Sequence, residues 1–319
     1  MKKVLAITIL AAFATAGSAD VSNSGLALAN TALQSGEADR ALEVLSSLPS
    51  SAEAHNLRCR VYFMLERWDE AANDCEQAVN LDGQSAINHM WLGRALGEKA
   101  DHASFIAAYS LAKRSRAEFE QAVSADPNNG EAMSDLGEFY SSAPGVVGGG
   151  IDKAQSLVPS LEKIDPARAH ILLARIAESR KDYATAEREF KQATTSSEHP
   201  AFAWMSLASF YRKRERWDDM EAAVGSGYRA SQRDRRAGVA LYNGASVLSR
   251  GKRNLAFAAK MLEEYLADYP RTEEGPAFEG YTRLARLKAQ LGDKNGAWQA
   301  RAAALKLAHD YKPASELTF

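Results

Sequence analysis

The sequence predicts an all-α protein, a right-handed superhelical solenoid of about seven or eight helix-turn-helix repeats. Three observations carry the prediction. Small and large residues recur together at fixed places with a period near 34 residues. No segment sustains the period-2 alternation of a strand. The breaks are local, with Gly and Asp at the turns inside each unit and Asp-Pro or Tyr-Pro after it.

The first element stands apart. Lys2 and Lys3 precede a ten-residue run, Val4 to Phe13, apolar except for Thr8, and small residues follow to Ala19. This is the layout of a secretory signal peptide, residues 1–19, with cleavage expected after Ala19 and Ala16 as the alternative. The run is too short to span a bilayer, and no later stretch approaches membrane length. The mature chain is therefore expected in the periplasm of a bacterial envelope, or secreted, with no integral membrane segment.

The units then run from residue 20 to about 310. The first, from Ser22, carries Leu28-Ala29, Gly36, Ala41 and Leu45, and is weak and short like a terminal cap. The second shows the pattern best. Small residues at Cys59, Ala71 and Ala78 let two helices touch, and Tyr62 and Trp68 plug the gaps. The third has Leu92-Gly93, Phe119, Ala122 and Asp126-Pro127, but Ala86 to Asn129 is 44 residues, about ten more than the period. That excess predicts a lengthened hairpin near residues 97–115. The fourth has Leu136-Gly137, Tyr140, Ala154 and Asp165-Pro166, with a Gly-rich insert at residues 143–150. The fifth (Leu173-Ala174, Asp182-Tyr183, Phe190) and the sixth (Leu207-Ala208, Tyr211, Arg216-Trp217) are regular. The seventh has Asn243-Gly244, Tyr265 and Pro270; the eighth has Leu284-Ala285, Gly292-Asp293 and Ala297. Residues 311–319 read as a flexible tail.

These residues resemble the tetratricopeptide repeat (TPR) family. Its motif asks for large residues at positions 4, 11 and 24, Leu then a small residue at 7 and 8, Ala at 20 and 27, and Pro at 32. The second unit departs from it at Arg58 and Cys75. The stretches 93–100 and 108–128 of the third unit are also similar to the regulator of microtubule dynamics family, over roughly a tenth of the chain. That likeness implies an interaction module, without the cytoskeletal association.

Composition excludes several classes. Lys plus Arg number 39 against 41 Asp plus Glu, so no strong field draws nucleic acid or an acidic membrane. The Arg-rich runs at 212–216 and 233–236 are interleaved with acids and read as salt-bridged helix ends. Gly145 to Gly150 sits between two helices and is followed by Asp152, the wrong setting for a phosphate loop. The two cysteines, Cys59 and Cys75, fall on facing helices of one hairpin, and spacing leaves a disulfide and two buried thiols equally open. His55, His89 and His170 fall at position 4 of their units and read as core imidazoles; no His pair has metal-ligand spacing. No Ser, His and Asp set can be assembled from spacing alone. The sequence thus predicts no enzyme, no cofactor and no metal.

Function is expected on the concave face. The resemblance places positions 2, 5, 6, 9 and 13 of each first helix in the groove. The residues singled out there are Asn56, Arg60, Trp91, Arg94, Asp135, Glu138, Arg168 and Arg175. Arg beside Trp is enriched at binding hot spots. Some family members hold a peptide's terminal carboxylate in a Lys/Asn/Arg clamp, but Leu26, Leu57 and Ile87 occupy the needed positions. The expected role is a periplasmic adaptor holding a protein or peptide partner in the groove. The alternative is a glycan- or peptidoglycan-fragment-binding protein using Trp91 and the nearby arginines. End-to-end stacking also leaves self-association open.

Overall fold

The computed structural model describes residues 12–319, with side chains described from Ser22 onward. The side chains of the predicted leader, and all of residues 1–11, lie outside the described residues. Eight helical hairpins follow one another: α1 (Ala12–Gln34) with α2 (Ala38–Ser46), α3 (Ala52–Met64) with α4 (Trp68–Leu81), α5 (Ala86–Asp101) with α6 (Phe105–Ala125), α7 (Gly130–Ser142) with α8 (Ile151–Ile164). Then come α9 (Pro166–Ser179) with α10 (Tyr183–Ser196), α11 (Pro200–Lys213) with α12 (Trp217–Ser231), α13 (Val239–Gly251) with α14 (Leu255–Asp268), and α15 (Ala277–Gln290) with α16 (Lys294–Leu307). A single turn, α17 (Lys312–Ser315), ends the chain, and the described residues contain no strand. Each hairpin packs on the next, and the buried apolar faces form a series of clusters along the solenoid.

Local chemistry starts and stops these helices. Ser51, Asp165, Asp182 and Asp293 each accept a hydrogen bond from a backbone N–H of the following first turn. Six of the eight hairpins turn in one way. A residue just past the first helix is left-handed, at Gly36, Glu66, Lys181, Glu215, Lys252 and Gly292. The N–H of the next residue then reaches back five positions, as from Arg67 to the Tyr62 carbonyl and from Asp182 to that of Ala177. This is a Schellman closure, which satisfies carbonyls the helix end leaves free.

The two hairpins predicted to be longer lack that closure. In α5–α6 the helices have 16 and 21 residues, against 13 and 14 in α3–α4, and they turn at His102. The front of α6 stands clear of the body, leaving Phe105 89% exposed. In α7–α8 the turn is a 3-10 segment, Gly145–Val147, whose Val147 is buried. A Cβ on Gly149 would meet the Ala143 carbonyl, so this insert is folded tightly back on its own start.

The solenoid also closes on itself. Leu26 to Leu65 of the first hairpins share one buried cluster with Phe278, Ala304, Ala308, Tyr311 and Ala314 of the last. Polar pairs rim this seam. Arg60 donates twice to Glu273, Arg67 pairs with Asp310 at 3.1 Å, His309 pairs with Asp39 at 2.9 Å, and the Tyr311 hydroxyl donates to Glu66 at 3.0 Å. Gly36 is essential to it, since a Cβ there would lie 2.3 Å from the Ala277 backbone nitrogen. The open groove expected of a solenoid is thus a ring interior.

The tail corrects the sequence reading. Residues 311–319 were expected to be flexible, yet Tyr311 is 2% exposed and stacks edge-on to Phe278, and Phe319 lies against Trp298. The tail docks because Tyr311 and Ala314 complete the apolar cluster at the seam. Cys59 and Cys75 are disulfide-bonded across α3 and α4, with Cα atoms 5.2 Å apart.

Candidate functional site

A cavity of about 790 Å³ opens where the two elongated hairpins face the seam. Its walls come from the end of α3, from α5, α6 and α7, from the Gly-rich insert, and from the 269–276 connection into α15. That connection is pinned by Arg60, by Gln34, and by Tyr265, whose hydroxyl donates to the Gly275 carbonyl at 2.7 Å.

One wall is aromatic. Trp91, 7% exposed, meets Phe63 edge-on at 5.4 Å between centroids; Phe63 meets Trp68 at 5.3 Å; Trp68 stacks on His102 at 5.7 Å. Two guanidinium groups already sit over the Trp91 ring, Arg94 at 4.8 Å and Arg60 at 5.4 Å, in cation–π geometry.

The rest is acidic. Nine carboxylates line the cavity against one guanidinium, Arg94. Arg94 donates to Asp135 and to Glu131, each at 2.6 Å. Burial works against its charge, and the two carboxylates outweigh burial and hold it raised. Asp135 is itself pushed up by burial, with Glu131 and Glu138 adding to the shift and Arg94 opposing it. Glu98 and Glu274 are also raised, by burial first and then by neighbouring carboxylates. Glu274 keeps its surface open to the cavity, yet protein surrounds it on several sides and strips its solvation. Four of the nine, Glu98, Asp101, Glu138 and Glu274, lie in this wall outside the ion pairs that engage Glu131, Asp135, Glu273 and Glu279.

The structure brings part of the expected set together. Trp91, Arg94, Asp135 and Glu138 line the cavity. Arg60 stands behind them, bridging Trp91 and Glu273. Arg168 pairs with Asp165 beside it, and Arg175 with Glu178 at 3.1 Å; neither lines the cavity. Asn56 is 4% exposed and is not a groove residue. It lies one helical turn before Arg60. Spacing within a unit missed Glu273 and Glu274, because contact across the seam joins residues more than 200 positions apart. The one available signal was length: residues 269–276 form an eight-residue connection, where other second-to-first-helix links are shorter.

The position-4 histidines are more than packing. His55, His89 and His170 each contact a carboxylate on the partner helix, Asp74 at 2.7 Å, Glu118 at 2.6 Å and Glu189 at 2.9 Å. Ser50 Oγ also lies 3.0 Å from His55 Nε2, so Ser50, His55 and Asp74 fall in a line that spacing did not assemble. Ser50 is exposed and outside the cavity lining, and the Arg58 guanidinium donates to the same Asp74 oxygen. The line lacks the cleft a hydrolytic triad needs. Among the described residues, Asp39, His309 and Asp310 form the one grouping with metal-ligand proximity; it is largely exposed and engaged in the seam's ion pairs. No described helix is long and apolar enough to cross a membrane.

The tetratricopeptide repeat family model matches residues 52–85, which span α3 and α4. Two solved structures give the fold. One is a thermophilic TPR protein of Thermus thermophilus, 16% identical, covering 59% of this chain and 98% of its own, with TM-score 0.50. The other is yeast Tom70, 16% identical, covering 87% of this chain and 58% of its own, with TM-score 0.54. One unit of the chain thus matches the tetratricopeptide repeat model, and the whole chain has the all-α solenoid fold of these repeat proteins. No curated protein matches it. The likeness of the third unit to the microtubule-regulator family finds no support in these matches.

Proposed function

We propose that this chain is an exported, non-enzymatic tetratricopeptide scaffold that holds a protein or peptide partner inside its ring. The observation that carries the reading is the seam cavity. An aromatic wall beside unpaired polar groups, on a fold made of rigid helices, is the composition of a binding hot spot. The solenoid itself supplies concave surface. Two observations support export to the periplasm: the leader-like first 19 residues, and a disulfide, which persists in oxidising compartments.

The test places a photo-crosslinking residue at Glu138, inside the cavity, and in a second variant at Glu162, on exposed surface outside its lining. A partner protein captured in intact cells from position 138 and not from 162 is the expected result. Equal capture from both positions sinks the interior site. Fractionation and N-terminal sequencing of the same protein test export, and retention of Lys2 and Lys3 in the cytoplasm would overturn it.

A further inference from the structure

We propose that the cavity takes a cationic, extended segment of the partner, with Arg or Lys heads among Glu98, Asp101, Glu138 and Glu274 and their stems along the aromatic wall. This rests on the reading that a protein partner is held in the ring interior.

The charge bias is local and built. The whole chain is nearly balanced, 39 basic residues to 41 acidic, yet the cavity lining holds nine carboxylates and one guanidinium. Several of these are already committed to the frame: Glu131 and Asp135 to Arg94, Glu273 to Arg60, Glu279 to Arg283. Those named in the proposal are not. Carboxylates gathered in one cavity repel one another, and for Glu98 and Glu274 the surrounding protein adds a desolvation cost, only partly offset at Glu274 by Arg168 and Arg94. A cationic occupant relieves both costs, whereas an acidic peptide or a phosphate meets repulsion.

The aromatic wall agrees. Trp91 is buried beneath Arg60 and Arg94, so the apolar surface left for a ligand is that of the partly exposed Phe63 and Trp68. Phe63 and Trp68 continue the same apolar strip toward His102. Long Arg and Lys stems lie along such surface while their heads reach polar groups.

The spread of charge selects an extended ligand. No three of the cavity carboxylates bring oxygens within 4.8 Å of one another, so they do not form a cage for a single metal ion. They come from different elements: the end of α5, α7, and the connection before α15. Several positive charges spaced along a chain match that arrangement. The cavity volume of about 790 Å³ suits a short peptide stretch.

The test uses the mature, disulfide-bonded chain at physiological ionic strength, so that exposed charges are screened. Fluorescence anisotropy reads its binding of a short labelled peptide repeating Gly-Arg-Ser, of the matching Gly-Glu-Ser peptide, and of spermine as competitor. Saturable binding of the Arg peptide alone is expected. Neutralising Glu138→Gln with Glu274→Gln weakens it by about tenfold. Neutralising Glu43→Gln with Glu162→Gln, both outside the cavity, leaves it unchanged. Equal loss in the two double variants reduces the effect to net charge and overturns the proposal, as does binding of the Glu peptide. Spermine that matches the Arg peptide in affinity makes a small polyamine the occupant and overturns the peptide. If the residue-138 crosslink captures a partner through an acidic or apolar segment, the cationic inference fails while the interior site stands. If neither crosslink nor peptide binding is seen, both fail.

Discussion

Six hairpins of this protein end their first helix with a left-handed residue and a Schellman closure, and two do not. The six make the frame, and the two, α5–α6 and α7–α8, make most of the cavity wall, completed by the α3–α4 hairpin, by the connection into α15 and by Glu279. The difference shows how a repeat protein separates stability from function. A repeated turn fixes the angle between helices, so each unit stacks on its neighbour with the same geometry. Where the turn is replaced by extra chain, the hairpin no longer serves stacking alone: the front of α6 projects clear of the body, and its later residues Ala112, Ser115 and Phe119 line the cavity. The same contrast appears in the core. The regular units from α9 to α16 share one large apolar cluster, whereas the elongated pair is divided between two smaller ones.

The strongest way to break this comparison is to alter two regular turns that differ only in what lies above them. Gly36 and Gly292 are both left-handed, at φ +69° and +86°. A Cβ at Gly292 meets nothing within 4 Å, whereas one at Gly36 strikes the Ala277 backbone across the seam. Gly292→Ala should therefore cost only the left-handed strain, about 1 kcal/mol. Gly36→Ala should cost about 3 kcal/mol, strain plus a backbone clash, and enlarge the radius of gyration as the ring opens. Urea unfolding and small-angle scattering read both quantities. Equal costs, or an unchanged radius, would mean that the seam is not a closure the frame depends on.

Next in size is the disulfide. α3–α4 is the regular hairpin that borders the elongated α5–α6, and its core is the small cluster containing Trp91. Replacing both Cys59 and Cys75 by Ala should lower stability by about 3 kcal/mol for a loop of this length. The loss should vanish when wild type and variant are compared in reductant. A loss of the same size in reductant would assign the effect to packing.

The turn itself sharpens the comparison from the other side. Lys181 is exposed and left-handed at φ 61°. Lys181→Gly should raise stability by roughly 0.5–1 kcal/mol, since glycine adopts that conformation without Cβ strain. A destabilised variant would argue that the lysine side chain matters more than the backbone it strains.

These differences mark what the sequence could disclose. Period, small-residue positions and helix breaks are local properties, so seven or eight hairpins, the long third unit and the insert at residues 143–150 were all legible. The cavity's near side was legible too, because Trp91, Arg94, Asp135 and Glu138 occupy repeating groove positions. Its far side was not. Glu273 meets Arg60, and Tyr311 meets Glu66, only once the accumulated twist of eight units brings the ends together. No single unit encodes that sum. The 311–319 tail was misplaced for the same reason: Tyr311 and Ala314 are buried by the closure.

The smallest expected effect is a pH dependence of the seam. His309 and Asp39 join α2 to the end of the chain, with Asp310 nearby and itself paired to Arg67. The hydrogen bond to Asp39, aided by the charges of Asp39 and Asp310, raises the His309 pKa above its ordinary value. A raised folded-state pKa means that the folded form binds the proton more tightly than the unfolded chain. The contribution is fully present below the unfolded value, about 6.5, and is lost as pH rises through the raised one. Stability should therefore decline slightly above neutrality, and His309→Gln should remove that slope. The effect is small because the imidazole is 78% exposed, and added salt should shrink it further. A slope that survives in His309→Gln would place the titration in another group.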